Sequence, residues 1–305
     1  MSDYTTYLST QYHDDVEHCK QYLFSFGSNY AQAVKIFPQK QREATTIFYS
    51  FVRYADELVD NPETDFQGRS HATIHDFVRD WSDVRKHGPH KKSHHVLRAT
   101  HWLFSHYGIP FEYLTDFLNA MVQDLTKPRY QTYQELIGYM WGSASVVGHV
   151  MTFILGYKNE LAFPCAQSLA EAMQLTNFLR DIKDDYETRK RIYLPQQDMA
   201  VFGVTEEMIY DNHMSAELTA LITQYVRRCY DLYDEGIDGI MLLHSGRLPV
   251  YYASLRYRHY LKIIKQRNYN IFEKPIKHST LEKILIGIYA VVSFPFFVIK
   301  KTMSK

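Results

Sequence analysis

Apolar residues recur at intervals of three and four along most of this chain, and strict alternation is rare. That rhythm gathers apolar side chains onto one face of a helix. It predicts helices near 5–25, 29–36, 40–60, 68–86, 93–106, 111–126, 132–156, 162–188, 215–243, 247–267 and 279–300. Several breaks carry helix-stopping residues: Asn61-Pro62, Gly88-Pro89, Gly108-Ile109-Pro110, Lys127-Pro128 and Phe163-Pro164. No repeat, low-complexity run or flexible linker divides the sequence. The expected architecture is therefore all-α, with one domain over 1–278 and an apolar tail over 279–305.

Two helices carry a polar face that a core stripe does not explain. Asn177, Asp181 and Asp185 stand at i, i+4 and i+8, which stacks them on one face about 6 Å apart. Carboxylates so arranged repel one another unless a cation lies between them. Hard divalent ions such as Mg²⁺ take oxygen ligands and share a few carboxylates with substrate phosphates. A lone D-x-x-x-D is equally the mark of a solvated acidic face. A second ladder, Asp56 and Asp60, again follows an arginine (Arg53, with Arg180 before the other). Two ladders in one helical chain point to a metal-diphosphate site.

Composition narrows the classes. The 34 basic and 34 acidic side chains balance, which removes the electrostatic case for a nucleic-acid partner. The three cysteines, Cys19, Cys165 and Cys229, have no C-x-x-C spacing, so neither a disulfide framework nor a zinc motif is expected. With no basic and apolar leader at the start, the expected location is cytoplasmic. Neither a G-x-G, a P-loop nor a G-x-S-x-G occurs.

Four segments leave alternatives open. The predicted helix 132–156 holds Gly138, Gly142, Ser143, Ala144, Ser145 and Gly148. Glycine there costs about 1 kcal/mol relative to alanine, offset either by close helix packing or by a thin wall that admits a ligand. Arg189-Lys190-Arg191 follows the second ladder and could fold over phosphates, or be a basic helix end favoured by the dipole. Ile284 to Ile299 is uncharged, interrupted by Pro295 and followed by Lys300-Lys301. It reads as a last helix packed on the core or as an interfacial anchor, giving peripheral membrane contact, and is short for a span. His87, His90, His94 and His95 lie in a stretch with Gly88, Pro89, Lys91 and Lys92, a polar loop in preference to a zinc site.

The strongest block is Gln174-Leu175-Thr176-Asn177-Phe178-Leu179-Arg180-Asp181-Ile182-Lys183-Asp184-Asp185, followed by Arg191-Ile192-Tyr193-Leu194-Pro195. With Tyr49-Ser50-Phe51-Val52-Arg53-Tyr54-Ala55-Asp56-Glu57-Leu58-Val59-Asp60 and Tyr139 to Gly148, it resembles the signatures of the squalene/phytoene synthase family. The resemblance runs from about 18 to 275. It implies an isoprenoid synthase fold, helices around an apolar cavity with the acidic motifs at its mouth. The implied chemistry is head-to-head condensation of two allylic prenyl diphosphates, so the chain would be a prenyltransferase.

Carried over residue by residue, the resemblance makes Asp56, Asp60, Asn177, Asp181 and Asp185 ligands of Mg²⁺, with Mn²⁺ as an alternative. Arg53, Arg180, Gln174, Asn177, Tyr49, Arg191 and Lys274 would bind diphosphate, and Tyr139 and Tyr257 would act at that end of the cavity. Tyr30, Val34, Thr46, Ser143, Val147 and Met151 would line the cavity and set chain length. Small Val34 and Thr46, where thirty-carbon synthases carry aromatics, imply a longer pocket, hence geranylgeranyl diphosphate and a phytoene synthase of carotenoid biosynthesis. Dehydrosqualene or squalene formation from farnesyl diphosphate is the alternative within the family. A non-catalytic assembly-factor homologue is the alternative outside catalysis, and a downstream desaturase is a candidate partner. The sequence departs from the family at Gly27-Ser28-Asn29-Tyr30, where S-x-S-F is usual. It departs again at Lys274, where arginine is usual, and at Ser143 and Ser145.

Overall fold

The computed structural model describes residues 11–25, 34–63 and 69–303. Among the described residues the elements are helical, with two isolated β-bridges, Arg129 with Ile192 and Tyr157 with Leu243. The chain divides into two compact units. The first comprises Met1–Leu125 with Phe153–Gly156, the second Thr126–Thr152 with Tyr157–Lys305.

The first unit contains α1 (Gln11–Ser25), α2 (Gln39–Asp60), α3 (Ile74–His87), α4 (His95–Tyr107) and α5 (Glu112–Asp124). Its core is aromatic: Phe51 meets Phe77, Trp81 and Phe117 with ring centroids 5.1, 5.7 and 6.3 Å apart. Tilted and edge contacts of this kind suit the ring quadrupole. A buried ion network ties α1 to α4. Asp15, fully buried, accepts from Arg98 Nε at 2.9 Å and lies 2.6 Å from His95 Nδ1. The predicted helix 68–86 begins at Ile74, because Thr73 and Asp76 form a capping box that fixes the start. The predicted helix 29–36 falls largely outside the described residues.

The histidines of the 87–95 stretch are distributed among structural roles. His87 pairs with Asp83 at 2.8 Å, His94 packs on Tyr54 at 4.7 Å, and His95 stacks on His18 at 3.8 Å.

The second unit is organised on α8 (Ala162–Arg189). Leu175, Thr176, Phe178, Leu179 and Ile182 are all buried, so more than one side of this helix is covered. Around it stand α6 (Tyr133–Met140), a π turn at Trp141–Ser145, α7 (Val146–Leu155), α11 (Ala216–Ile237) and α12 (Arg247–Gln266). Two short helices that periodicity missed, α9 (Gln196–Phe202) and α10 (Glu206–Tyr210), lie between α8 and α11. They are too brief to show a repeating stripe.

Close packing explains part of the glycine content. A Cβ on Gly148 would sit 2.8 Å from the Ala166 carbonyl oxygen, and one on Gly236 would sit 2.6 Å from the Leu169 amide nitrogen. Gly138 faces open space.

The last helix, α13 (Thr280–Met303), runs through Pro295 without breaking. Pro295 therefore does not interrupt the apolar tail, contrary to expectation; it lies on the exposed side. The inner side packs Ala290, Phe294 and Phe297 against Ile240 and Tyr251. Ser293 Oγ and Tyr251 Oη are 3.2 Å apart, and Lys301 forms an ion pair with Asp238.

Candidate active site

The first ladder lies near the end of α2. Asp56 is half-buried and Asp60 exposed. Burial, then the neighbouring charges of Asp60 and Asp124, push the Asp56 carboxyl up to about 7, against the opposing pull of Arg53. Arg53 itself is paired with buried Glu57, whose other oxygen accepts from Asn61 Nδ2 at 2.7 Å. Glu57 thus holds the guanidinium on the helix. Asp124, at the end of α5, is the acidic member that spacing overlooked, since Ala120 and Pro128 occupy its i−4 and i+4 positions.

Of the residues expected to set chain length in this unit, Val34 is fully buried against Leu23, with Tyr49 packed on the pair. Thr46 is also buried, and its hydroxyl donates to the Arg42 carbonyl at 2.7 Å. Tyr30 and the Ser28–Asn29 segment lie outside the described residues.

The second ladder gathers more of its expected partners. Arg180 chelates Asp181, Nε to Oδ1 at 2.7 Å, and its guanidinium lies 4.9 Å over the Tyr260 ring. Burial and the Asp181 charge push Asp185 up to about 7, while Arg189 and Arg191 oppose the rise. Arg189 reaches Asp185 at 3.6 Å, and the Arg191 amide donates to the Asp185 carbonyl at 3.1 Å. Asn177 Nδ2 points to Gln174 Oε1 at 3.4 Å, and Asn177 also hydrogen-bonds Tyr257, whose hydroxyl is held above its ordinary range by burial. Asn177 Oδ1 is buried and has no hydrogen-bond partner among the described residues. A buried acceptor without a donor costs about 1–3 kcal/mol, so this atom suits a cation.

The basic triplet after α8 divides its roles. The helix ends where Lys190 takes a left-handed conformation, φ 55°. Lys190 then lies over the Tyr186 ring at 4.9 Å, while Arg191 is buried beside Asp185. Arg129 anchors the turn by forking onto Glu206, 2.7 and 2.8 Å.

Tyr139 belongs to an aromatic stack. Its ring lies 5.3 Å from Tyr130 and 5.7 Å from Tyr193, and Tyr193 stacks on Phe178 at 4.0 Å. Tyr130, Tyr193 and Phe178 were not singled out by spacing. Along α6, the π turn and α7, the Ser143 hydroxyl is buried without a partner among the described residues, Val147 is half-buried and Met151 buried. Ser145 donates to Glu171 at 3.2 Å. Lys274 is not gathered with this group. It is exposed, and its carbonyl accepts from Arg267 at 2.6 Å.

The squalene/phytoene synthase model matches residues 25–282. The chain belongs to the squalene/phytoene synthase family. It is 27% identical to the 15-cis-phytoene synthase of Synechococcus elongatus over 281 residues, covering 88% of this chain and 89% of that one. It is 30% identical to the chloroplastic phytoene synthase of Daucus carota, over 85% of this chain and 64% of that longer protein. Among solved structures, a dehydrosqualene synthase superposes with TM-score 0.82 at 24% identity, over 93% of this chain and 98% of that chain. The squalene synthase of Alicyclobacillus acidocaldarius superposes with TM-score 0.75, also at 24% identity, over 85% of this chain and 96% of that one. These likenesses establish the all-α isoprenoid synthase fold.

For a squalene/phytoene synthase the donor set fits Mg²⁺ in a particular way. Among the described residues, no three His, Cys, Asp or Glu side chains close a metal cage on their own. What the ladders offer instead is hard oxygen atoms with charge to spare: Asp56 and Asp185, both raised to about 7, and the orphaned Asn177 Oδ1. Magnesium keeps much of its shell as water and phosphate oxygen, so one or two carboxylates per ion are enough.

Proposed function

We propose that this chain is a phytoene synthase. It condenses two geranylgeranyl diphosphates head to head through prephytoene diphosphate to phytoene. In the first step the C1–O bond of one substrate breaks. The double bond of the other attacks the allylic cation, a proton is lost, and a cyclopropylcarbinyl diphosphate forms with release of diphosphate. In the second step the remaining C–O bond breaks, the cation rearranges, and a further proton leaves. No electrons are exchanged with a cofactor, in keeping with a product less reduced than squalene.

The reading is carried by the pairing of each acidic ladder with an adjoining arginine: Arg180 on Asp181 in the second unit, Arg53 beside Asp56 in the first. Asp56, Asp60, Asn177, Asp181 and Asp185 would hold Mg²⁺, which neutralises a departing diphosphate as a Lewis acid. Arg53 and Arg180 offer a permanent charge and a fork matched to phosphate oxygens. In this state both forks are occupied by carboxylates, so a diphosphate exchanges one anion for another and does not meet an empty cation. Tyr257, bonded to Asn177, orients that amide. The Tyr130–Tyr139–Tyr193–Phe178 stack supplies apolar faces that exclude water, and aromatic faces stabilise a passing cation.

Geranylgeranyl diphosphate is chosen over farnesyl diphosphate on two grounds. Val34 and Thr46 are small, and the curated relatives matched over most of the chain carry the name phytoene synthase. The test is incubation of the purified protein with Mg²⁺ and each diphosphate, followed by identification of the hydrocarbon. Phytoene from the longer substrate is expected. Turnover of farnesyl diphosphate alone would replace this reading with the thirty-carbon one. No product from either, with the fold intact by circular dichroism, would leave a non-catalytic member of the family.

A further inference from the structure

Helix α13 is long and apolar enough to cross a bilayer by length and composition, and only 11% of its most apolar 18-residue window is buried. The exposed positions are ordered. Leu281, Leu285, Ile288, Val292, Phe296 and Ile299 are between 53% and 69% exposed and follow one another every three or four residues. They form a stripe down the outer side of a helix about 36 Å long. A monomer's largest apolar patch is roughly 300–600 Å² and commonly functional, and this stripe runs the whole length of the helix.

We propose that this outer stripe is a membrane-docking surface, on which the protein lies with α13 parallel to the bilayer plane. Three observations select lipid as the occupant. First, the stripe is two residues wide at most turns, since Ile284, Tyr289 and Val291 are also exposed. A helix from a second copy needs only a narrow a/d seam with charged flanks. Here no charged residue lies between Ile284 and Ile299, and Pro295 stands on the exposed side where a knob would fall. Second, the inner side is held along its length. Ser279 and Glu282 cap the start, Phe294 and Phe297 pack on Tyr251, and Lys301 pairs with Asp238 near the end. A spanning orientation would have to strip these contacts, whereas an in-plane one keeps them. Third, the segment 277–303 holds four lysines (Lys277, Lys283, Lys300, Lys301) against one glutamate (Glu282). They lie at the two ends of the stripe, where headgroups meet the edge of a buried apolar face.

The test uses the full chain and two kinds of vesicle, one of phosphatidylcholine alone and one with about a third phosphatidylglycerol, an anionic share chosen to engage the terminal lysines. The protein should float with both, more strongly with the anionic vesicles at low salt. Alkaline carbonate should release it. The double variant I288E/V292E should lower partitioning by about tenfold or more. It should do so with unchanged helicity, unchanged mass in solution, and unchanged turnover of detergent-dispersed substrate. Failure of the unaltered protein to float on either vesicle would overturn the proposal, as would equal flotation of the variant. Retention through carbonate would mean that the helix spans. A dimer of the unaltered protein that the same two substitutions dissolve would assign the stripe to a second copy.

Discussion

Acid should weaken this protein through His278. The residue sits just before α13 and is 6% exposed; its ring stacks on Tyr260 at 3.9 Å and lies 5.1 Å from His259. Both ring nitrogens are buried without a hydrogen-bond partner among the described residues. Burial first, then the nearby His259 and Arg256, lower its pKa to about 4, with Lys283 adding to the fall and Glu282 opposing it. The unfolded ring titrates near 6.5. Because the folded form holds the neutral ring, its stability is complete above about 6.5 and is lost as the pH falls toward 4. The full gap is about 3 kcal/mol, of which about 2 kcal/mol has gone by pH 5. That corresponds to a fall in Tm of about 4–6 °C between pH 7 and pH 5. His278→Phe keeps a ring on Tyr260 and removes the titration, so thermal melts of the two proteins at both pH values isolate the effect. The variant should lose less Tm on acidification by about that amount, whatever its stability at pH 7. An identical acid-induced fall in both proteins would refute the claim that the buried ring must stay neutral. The consequence reaches the site, because the Tyr260 ring that His278 supports carries Arg180.

Further outcomes can be stated briefly. Asp181→Ala should lower turnover by about 10³-fold or more, as expected when several kcal/mol of charge stabilisation is lost, with helicity retained; activity within tenfold of the original would sink the metal assignment. Exhaustive chelation should abolish hydrocarbon formation, and added Mg²⁺ should restore it; activity that survives chelation would remove the metal from the reaction. Gly148→Ala should cost about 1–3 kcal/mol in denaturant melts, since the new methyl meets the Ala166 carbonyl oxygen at 2.8 Å. Arg98→Met should cost about 3–5 kcal/mol by stranding buried Asp15, and a loss under 1 kcal/mol would show that His95 alone satisfies it.

Much of this molecule was legible in its sequence because helix periodicity is a local signal. The long helices declared themselves through their stripes and their Gly and Pro breaks, and the second ladder through its i, i+4, i+8 spacing. What stayed hidden depends on contacts distant in sequence. Asp124 has no acidic neighbour on its own helix, and its relevance comes from a charge on α2. The π turn at Trp141–Ser145 leaves the composition of its helix unchanged. Glu57 looked like one more acid beside Asp56, yet it is the partner that holds Arg53. The effect of Pro295 was misjudged because a missing amide is tolerated where the freed carbonyl faces solvent.

The inner face of α13 makes shortening the protein a poor route to better solubility. Deleting everything after His278 would remove the exposed stripe, but it would also uncover Tyr251 and Ile240, now 6% and 1% exposed. It would leave Asp238 without Lys301 as well. The shortened molecule would trade one sticky surface for another, nearer α12 and its Tyr257. Replacing outward residues one at a time is the gentler course, since it leaves the covered side covered.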